Sequence, residues 1–239
     1  VSLKKGFADS NNPIFARLGM QQLGAELLTS YAKALGFERP LPFEVPVAQS
    51  NLPPVRDQFN LAELACGYHR ETTISPLHAA VLVSIFLNDG RVLEPYMVRQ
   101  VSGMGGEVLY QGRTRAHTTP LSKTTCQEMQ ELFEATVSMG TARRAFNKVN
   151  KDKVLKKMEL GGKTGTLGGP DKTELFEWFA GYGRDEQSGR TIAVAAVVVH
   201  HSIRYANAKQ LSRQILRSAF AAGGTHVVSQ PGPRHGPRL

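Results

Sequence analysis

Apolar residues early in the chain recur at helical spacing. In "PIFARLGMQQLGAELLTSYAKAL" (13–35), Ile14, Leu18, Ala25, Leu28, Ala32 and Leu35 fall three, four or seven apart, which puts them on one face of a helix. Asn12 offers a cap, Pro13 suits the first helical position, and Gly36 ends the run. The period is then lost, and five prolines in residues 37–60 predict an extended loop. It resumes after Ser75-Pro76, where Leu77, Val81, Ser84 or Ile85, and Asn88 form the expected inner stripe. "VLEPYMVRQV" and "GEVLYQ", separated by "SGMG", predict a hairpin. Thr124 with Gln127 makes a capping box for a helix that turns Met129, Leu132, Phe133 and Val137 inward.

The pattern changes in the last third. "ELFEWFAGYG" (174–183) and "RTIAVAAVVVHH" (190–201) are strand-like and joined by the polar turn "RDEQSG". The second is a nearly unbroken apolar run, as in a strand covered on both faces. Residues 206–222 predict a helix with Leu211, Ile215, Ala219 and Phe220 inward. The Gly/Pro-rich tail, 223–239, is aperiodic and predicts disorder. Together the elements predict one α/β domain of the α+β type over residues 1–222, an antiparallel sheet flanked by helices.

Length and composition narrow the field. With 239 residues the chain can bury a core without disulfide or metal staples. Its net charge of +9 would attract polyanions. The basic residues are scattered, densest at Lys4, Lys5, Arg143, Arg144, Lys151, Lys153, Lys156 and Lys157. No aromatics are interleaved with them, so they read as solvated positions and not as a nucleic-acid platform. Cys66 and Cys126 have no zinc-type partners nearby. None of His69, His78, His117, His200 and His201 stands in metal-protease spacing, so all five read as structural or surface groups. No metal or cofactor is expected. No apolar run reaches membrane-spanning length, and "VSLKKGFADS" lacks both a signal-peptide core and a starting methionine.

One stretch raises a choice of chemistry. "LGGKTGTLGG" (160–169) contains GKT, the end of a phosphate-binding loop. That loop needs a glycine five positions before Gly162, where Lys157 stands, and a helix where "GTLGGP" follows. The phosphate reading fails on both. The alternative is a K-T-G strand beside an acyl-transfer cleft. On a strand, the hydroxyls of Thr164 and Thr166 share one face and Lys163 points to the other, while Gly165 leaves room for a second backbone. A second motif, Ser10-Asn11-Asn12, puts a hydroxyl and an amide two residues apart at the start of a helix.

These motifs occur in order with "GYHRETTISPLHAAVLVSIFLNDGRVLEPYMV", "VSMGTARRAF" and "FEWFAGYG". Over residues 1–222 the set resembles the transpeptidase domain of penicillin-binding proteins. The resemblance implies a serine acyl-enzyme formed on a D-alanyl-D-alanine stem peptide and resolved by a neighbouring amine, with β-lactams as covalent inhibitors. It implies that Ser10 relays protons, Asn12 holds the substrate amide, and Lys163 supports Ser10. It further implies that Thr164, Gly165 and Thr166 bind the substrate, with the Thr166 amide as an oxyanion donor. The family's nucleophile lies in S-x-x-K upstream of S-x-N. Ser2-Leu3-Lys4-Lys5 fits that string, but a helix rises about 12 Å over the eight residues from Ser2 to Ser10, too far to share a proton. The nucleophile segment is therefore expected upstream of Val1, with a membrane anchor, on the extracytoplasmic face of the cytoplasmic membrane. A β-lactam hydrolase, a D,D-carboxypeptidase and a non-catalytic peptide-binding module remain as alternatives.

Overall fold

The computed structural model describes residues 1–169, 173–201 and 206–222; the tail expected to be disordered lies outside them. The chain opens with a short helix, α1 (Leu3–Ala8), capped by the Ser2 hydroxyl, which accepts the Lys5 amide at 3.3 Å. After a reversal at Ser10 comes α2 (Asn12–Leu18). Its cap is Asn11, not Asn12: the Asn11 carboxamide oxygen accepts the Ile14 amide at 3.3 Å.

The single helix expected over 13–35 is divided. A π-helical turn, Gly19–Leu23, separates α2 from α3 (Gly24–Ala34). The cause lies in a helix that the periodicity did not show, α4 (Gln58–Cys66), which overruns the end of the expected loop. It crosses so close to the turn that a Cβ at Gly19 would fall 2.2 Å from the Ala65 methyl. Caps marked α4 all the same: Asp57 accepts the Asn60 amide at 2.7 Å, and Gly67 closes the helix with φ 75°.

Helix α5 (Pro76–Leu87) starts at Ser75 as expected but buries His78, Ala79, Val81, Val83 and Ile85. These do not form a single stripe, because the helix is enclosed on several sides. Two small ribbons follow. The expected first hairpin strand, 92–101, is split: Val92–Leu93 forms a separate strand, β1, and only its end continues into β2 (Gln100–Ser102), which makes a short hairpin with β3 (Val108–Gln111). β4 (Ala116–Thr118) pairs with β1. Helix α6 (Lys123–Ser138) is capped by Ser122, whose hydroxyl accepts the Thr125 amide at 3.1 Å, so the Thr124–Gln127 box is not used. Two 3₁₀ turns, Val149–Lys151 and Leu155–Lys157, lead to the sheet.

That sheet is β5 (Met158–Gly168), β6 (Leu175–Asp185) and β7 (Thr191–His200), antiparallel in that order, so β5 is an edge. The last helix, α7 (Ala208–Ala221), packs on β6 and β7. It buries Ala208, Ser212 and Leu216, while Leu211 and Ile215 remain about 40% exposed. The small residues at 208 and 212 let the helix lie close to the sheet, turning the expected face by one position.

The sheet is a middle layer. On one side Phe179, Leu160, Val194 and Ala196 meet α7 and the 142–155 segment. On the other Tyr182 packs with Phe133 of α6 and Val83 of α5. Phe179 and Tyr182 are fully buried, and truncating either ring would cost on the order of 3–5 kcal/mol. This double cover holds β5 rigid while leaving its outer edge open.

Candidate active site

The open edge of β5 forms one wall of a cleft of about 620 Å³, a size suited to a small ligand. The opposite wall is built from α1, the Ser10 reversal and α2, with the end of α4 as a floor. Ser10, Asn12, Lys163, Thr164, Gly165 and Thr166 all line it. Alternation along β5 puts Lys163 on the α1–α6 side and the threonines on the other. Both sets reach the cleft because an edge strand exposes its rim as well as its faces.

The central contact joins residues far apart in sequence. Lys163 Nζ donates to Ser10 Oγ at 2.7 Å and to the Thr164 carbonyl at 2.9 Å. The ammonium stands 5.6 Å from the centre of the Phe7 ring, a cation–π distance. Phe7 is itself wedged edge-on against Phe133 and Phe15. This apolar surround strips water from the ammonium and lowers the Lys163 pKa to about 8. Ser10 has φ 56°. A non-glycine residue in the left-handed region is strained, and such strain gathers at functional sites. With Asn11 taking the cap, the Asn12 side chain is left to face the cleft.

The structure adds residues that periodicity did not single out. Thr141 and Thr164 share a hydroxyl hydrogen bond of 2.6 Å. The Thr141 amide donates to the carbonyl of Ala8 at 3.0 Å, fastening the turn after α6 to the end of α1. That fastening requires Gly140, where a Cβ would lie 2.1 Å from the Ala8 oxygen. Lys209 of α7 also lines the cleft. It donates to Glu177, whose other oxygen pairs with His200 Nε2 at 3.1 Å. Glu177 stands opposite Thr166 in the β5–β6 register and is buried. Burial would raise its pKa, but the bonds from Lys209 and His200 outweigh that and hold it below the usual carboxylate range. Of these residues Gly140 and Thr141 lie in the quoted motif "VSMGTARRAF" and Glu177 in "FEWFAGYG", while Lys209 lies in none.

Ser2 is used otherwise. It caps α1 and does not line the cleft, while Lys5 pairs with Asp9 at 2.6 Å. Among the described residues no group of three His, Cys, Asp or Glu could hold a metal, and no helix is long and apolar enough to cross a membrane.

A serine that meets a lysine from the opposite wall of a cleft, with paired threonines beside that lysine on the edge of a helix-covered antiparallel sheet, is the architecture of serine acyl-transferases that bind penicillin. The model of the penicillin binding protein transpeptidase domain matches residues 1–220, and the chain belongs to that family. It is 33% identical over 104 residues to peptidoglycan D,D-transpeptidase PbpA of Mycobacterium tuberculosis, covering 43% of this chain and 21% of that protein. It is 24% identical over 234 residues to penicillin-binding protein 1A of Pseudomonas aeruginosa, covering 77% and 25%. The imipenem acyl-enzyme complex of penicillin-binding protein A from M. tuberculosis superposes with a TM-score of 0.75 at 24% identity, covering 93% of this chain and 48% of that one. The D,D-transpeptidase domain of a peptidoglycan glycosyltransferase from Eggerthella lenta gives 0.75 at 22%, covering 93% and 54%. The chain thus spans about half or less of the length of these relatives.

Proposed function

We propose that this cleft is the acyl-transfer site of a peptidoglycan D,D-transpeptidase, completed in the intact protein by a serine from a segment preceding Val1. The observation that carries the reading is the 2.7 Å contact between Lys163 and Ser10 beside Thr164 and Thr166. With the Lys163 ammonium donating to its oxygen, Ser10 is free to aim its own proton outward. It can hand that proton to the departing amine of D-alanyl-D-alanine and take one from the attacking serine. Asn12 offers an amide to the peptide. Thr164 and Thr166 offer hydroxyls to the terminal carboxylate, with Lys163 adding positive charge. The Thr166 amide would face the developing oxyanion, where losing one donor typically costs about 10²–10³ in rate.

β-Lactams would acylate the same serine; penicillin-binding protein A of M. tuberculosis forms an acyl-enzyme complex with imipenem. A peptidoglycan substrate would put the site outside the cytoplasmic membrane, and the proposal includes an upstream anchor that holds the protein there. The test is labelling of the intact protein by a fluorescent penicillin. Label should appear and should vanish when the upstream serine is changed to alanine; labelling that persists defeats the proposal.

A further inference from the structure

The positive charge that looks scattered in sequence is gathered by the fold. Residues 143–157 carry seven basic side chains and one acidic one, and α7 carries three more basic residues and no acid. The chain has 29 basic and 20 acidic residues, so outside these two segments 19 of each remain and cancel. The whole net charge of +9 therefore resides in 143–157 and α7.

The two segments form one face. Arg213 of α7 donates to the Ala145 carbonyl at 3.2 Å, and Arg217 reaches Asp152 at 3.1 Å. Between them lies a groove of about 370 Å³ lined by Arg144, Asn147, Asp152, Gln210, Arg213, Gln214 and Arg217. Asp152 is already engaged: its burial is outweighed by the amides of Val154 and Leu155 and by Arg217, which keep it ionised. Arg143, Arg144, Lys148, Lys151, Lys153, Lys156 and Lys157 are all exposed. The face begins at the cleft itself, since Thr141 and Lys209 line the cleft and each adjoins one of its segments.

We propose that this face holds a strand of peptidoglycan as it leaves the cleft, its cations meeting peptide carboxylates and its amides meeting sugar hydroxyls. The proposal rests on the reading of the cleft as a stem-peptide site. Three guanidinium groups interleaved with the amides of Asn147, Gln210 and Gln214 suit a ligand with both carboxylates and hydroxyls. Nucleic acid fits less well, because Phe146 is buried and Phe220 half-buried, which leaves no platform for bases. A lipid surface fits less well too: Leu211 and Ile215 alone are narrower than the apolar face an interfacial helix inserts.

The test uses the full-length protein, first acylated with penicillin G so that the cleft is closed, and pelleted with insoluble purified peptidoglycan. Wild type should pellet at low salt and be released as salt is raised. The triple variant Lys151→Glu, Lys153→Glu, Lys156→Glu should bind about tenfold more weakly, with penicillin labelling unchanged. Should the triple reversal lose its label, the corresponding triple Lys→Gln variant gives the same comparison with a smaller drop. Equal pelleting of wild type and a folded variant overturns the proposal. So does tighter binding of wild type to phosphatidylglycerol vesicles or duplex DNA than to peptidoglycan. Failure of wild type to label at all would instead sink the transpeptidase reading, while pelleting of the unacylated protein would still be measurable.

Discussion

At the scale of single residues, the site turns on how dry Lys163 is. Burial disfavours the ammonium, so its pKa falls from 10.5 to about 8. The charged form is then lost as pH rises through about 8, some two units earlier than for a solvated lysine. Penicillin acylation of the intact protein should therefore decline on the alkaline side with an apparent pKa near 8. Lys163→Gln should slow acylation by about 10²–10³-fold and remove that limb. A pH–rate profile of acylation by stopped flow checks both; an alkaline limb unchanged in the variant would refute the role given to Lys163. Ser10, Asn12, Lys163 and the two threonines were legible because their motifs are compact and ordered along the chain. Thr141 and Lys209 were not. Each is an ordinary polar residue whose place in the cleft depends on where α6 ends and how α7 docks.

At the scale of elements, local chemistry was read better than mutual packing. The β6–β7 hairpin and the start of α5 follow from alternation, a polar turn and a Ser-Pro cap. The break between α2 and α3 does not, because its cause is Ala65 of α4 pressing on Gly19 from far along the sequence, an effect periodicity cannot carry. The buried face of α7 departs from its apolar pattern for a related reason: Ala208 and Ser212 touch the sheet because they are small, while the larger Leu211 and Ile215 stay partly exposed. The turn after α6 shows the same dependence on close approach. Gly140→Ala would drive a methyl into the Ala8 carbonyl and should cost about 1–3 kcal/mol. The same change should pull Thr141 away from Thr164, so penicillin labelling should slow while the far-UV spectrum stays native-like. Normal melting together with normal labelling would show that the α1–α6 fastening is dispensable.

At the scale of the whole molecule, a buried histidine ties three distant segments together. His78 Nδ1 meets the Ser50 hydroxyl at 2.7 Å, and Nε2 meets the Leu35 carbonyl at 3.1 Å. Burial lowers its pKa, the Leu35 carbonyl opposes this, and Arg39 adds to the lowering. The folded protein thus resists protonating a group that the unfolded chain protonates below about pH 6.5. The stability contributed by neutral His78 is complete above that pH and is lost as pH falls. His78→Gln should lower stability by about 1–2 kcal/mol at pH 7, and the gap from wild type should narrow towards pH 5. Thermal melts at both pH values test this, and a constant gap would show that His78 titrates normally.

The Lys163–Ser10 bond also carries a consequence for the order in which the molecule assembles. Its partners lie 153 positions apart, whereas the β5–β6 and β6–β7 pairings are made between sequence neighbours. Closing a long loop costs entropy before its contacts give anything back. The hairpins can therefore form first, and the catalytic cleft closes only when the N-terminal segment returns to the finished sheet. On the acyl-transfer reading proposed for the cleft, competence to be acylated would come late in folding, and a chain stalled before it would have a well-formed sheet but no finished cleft.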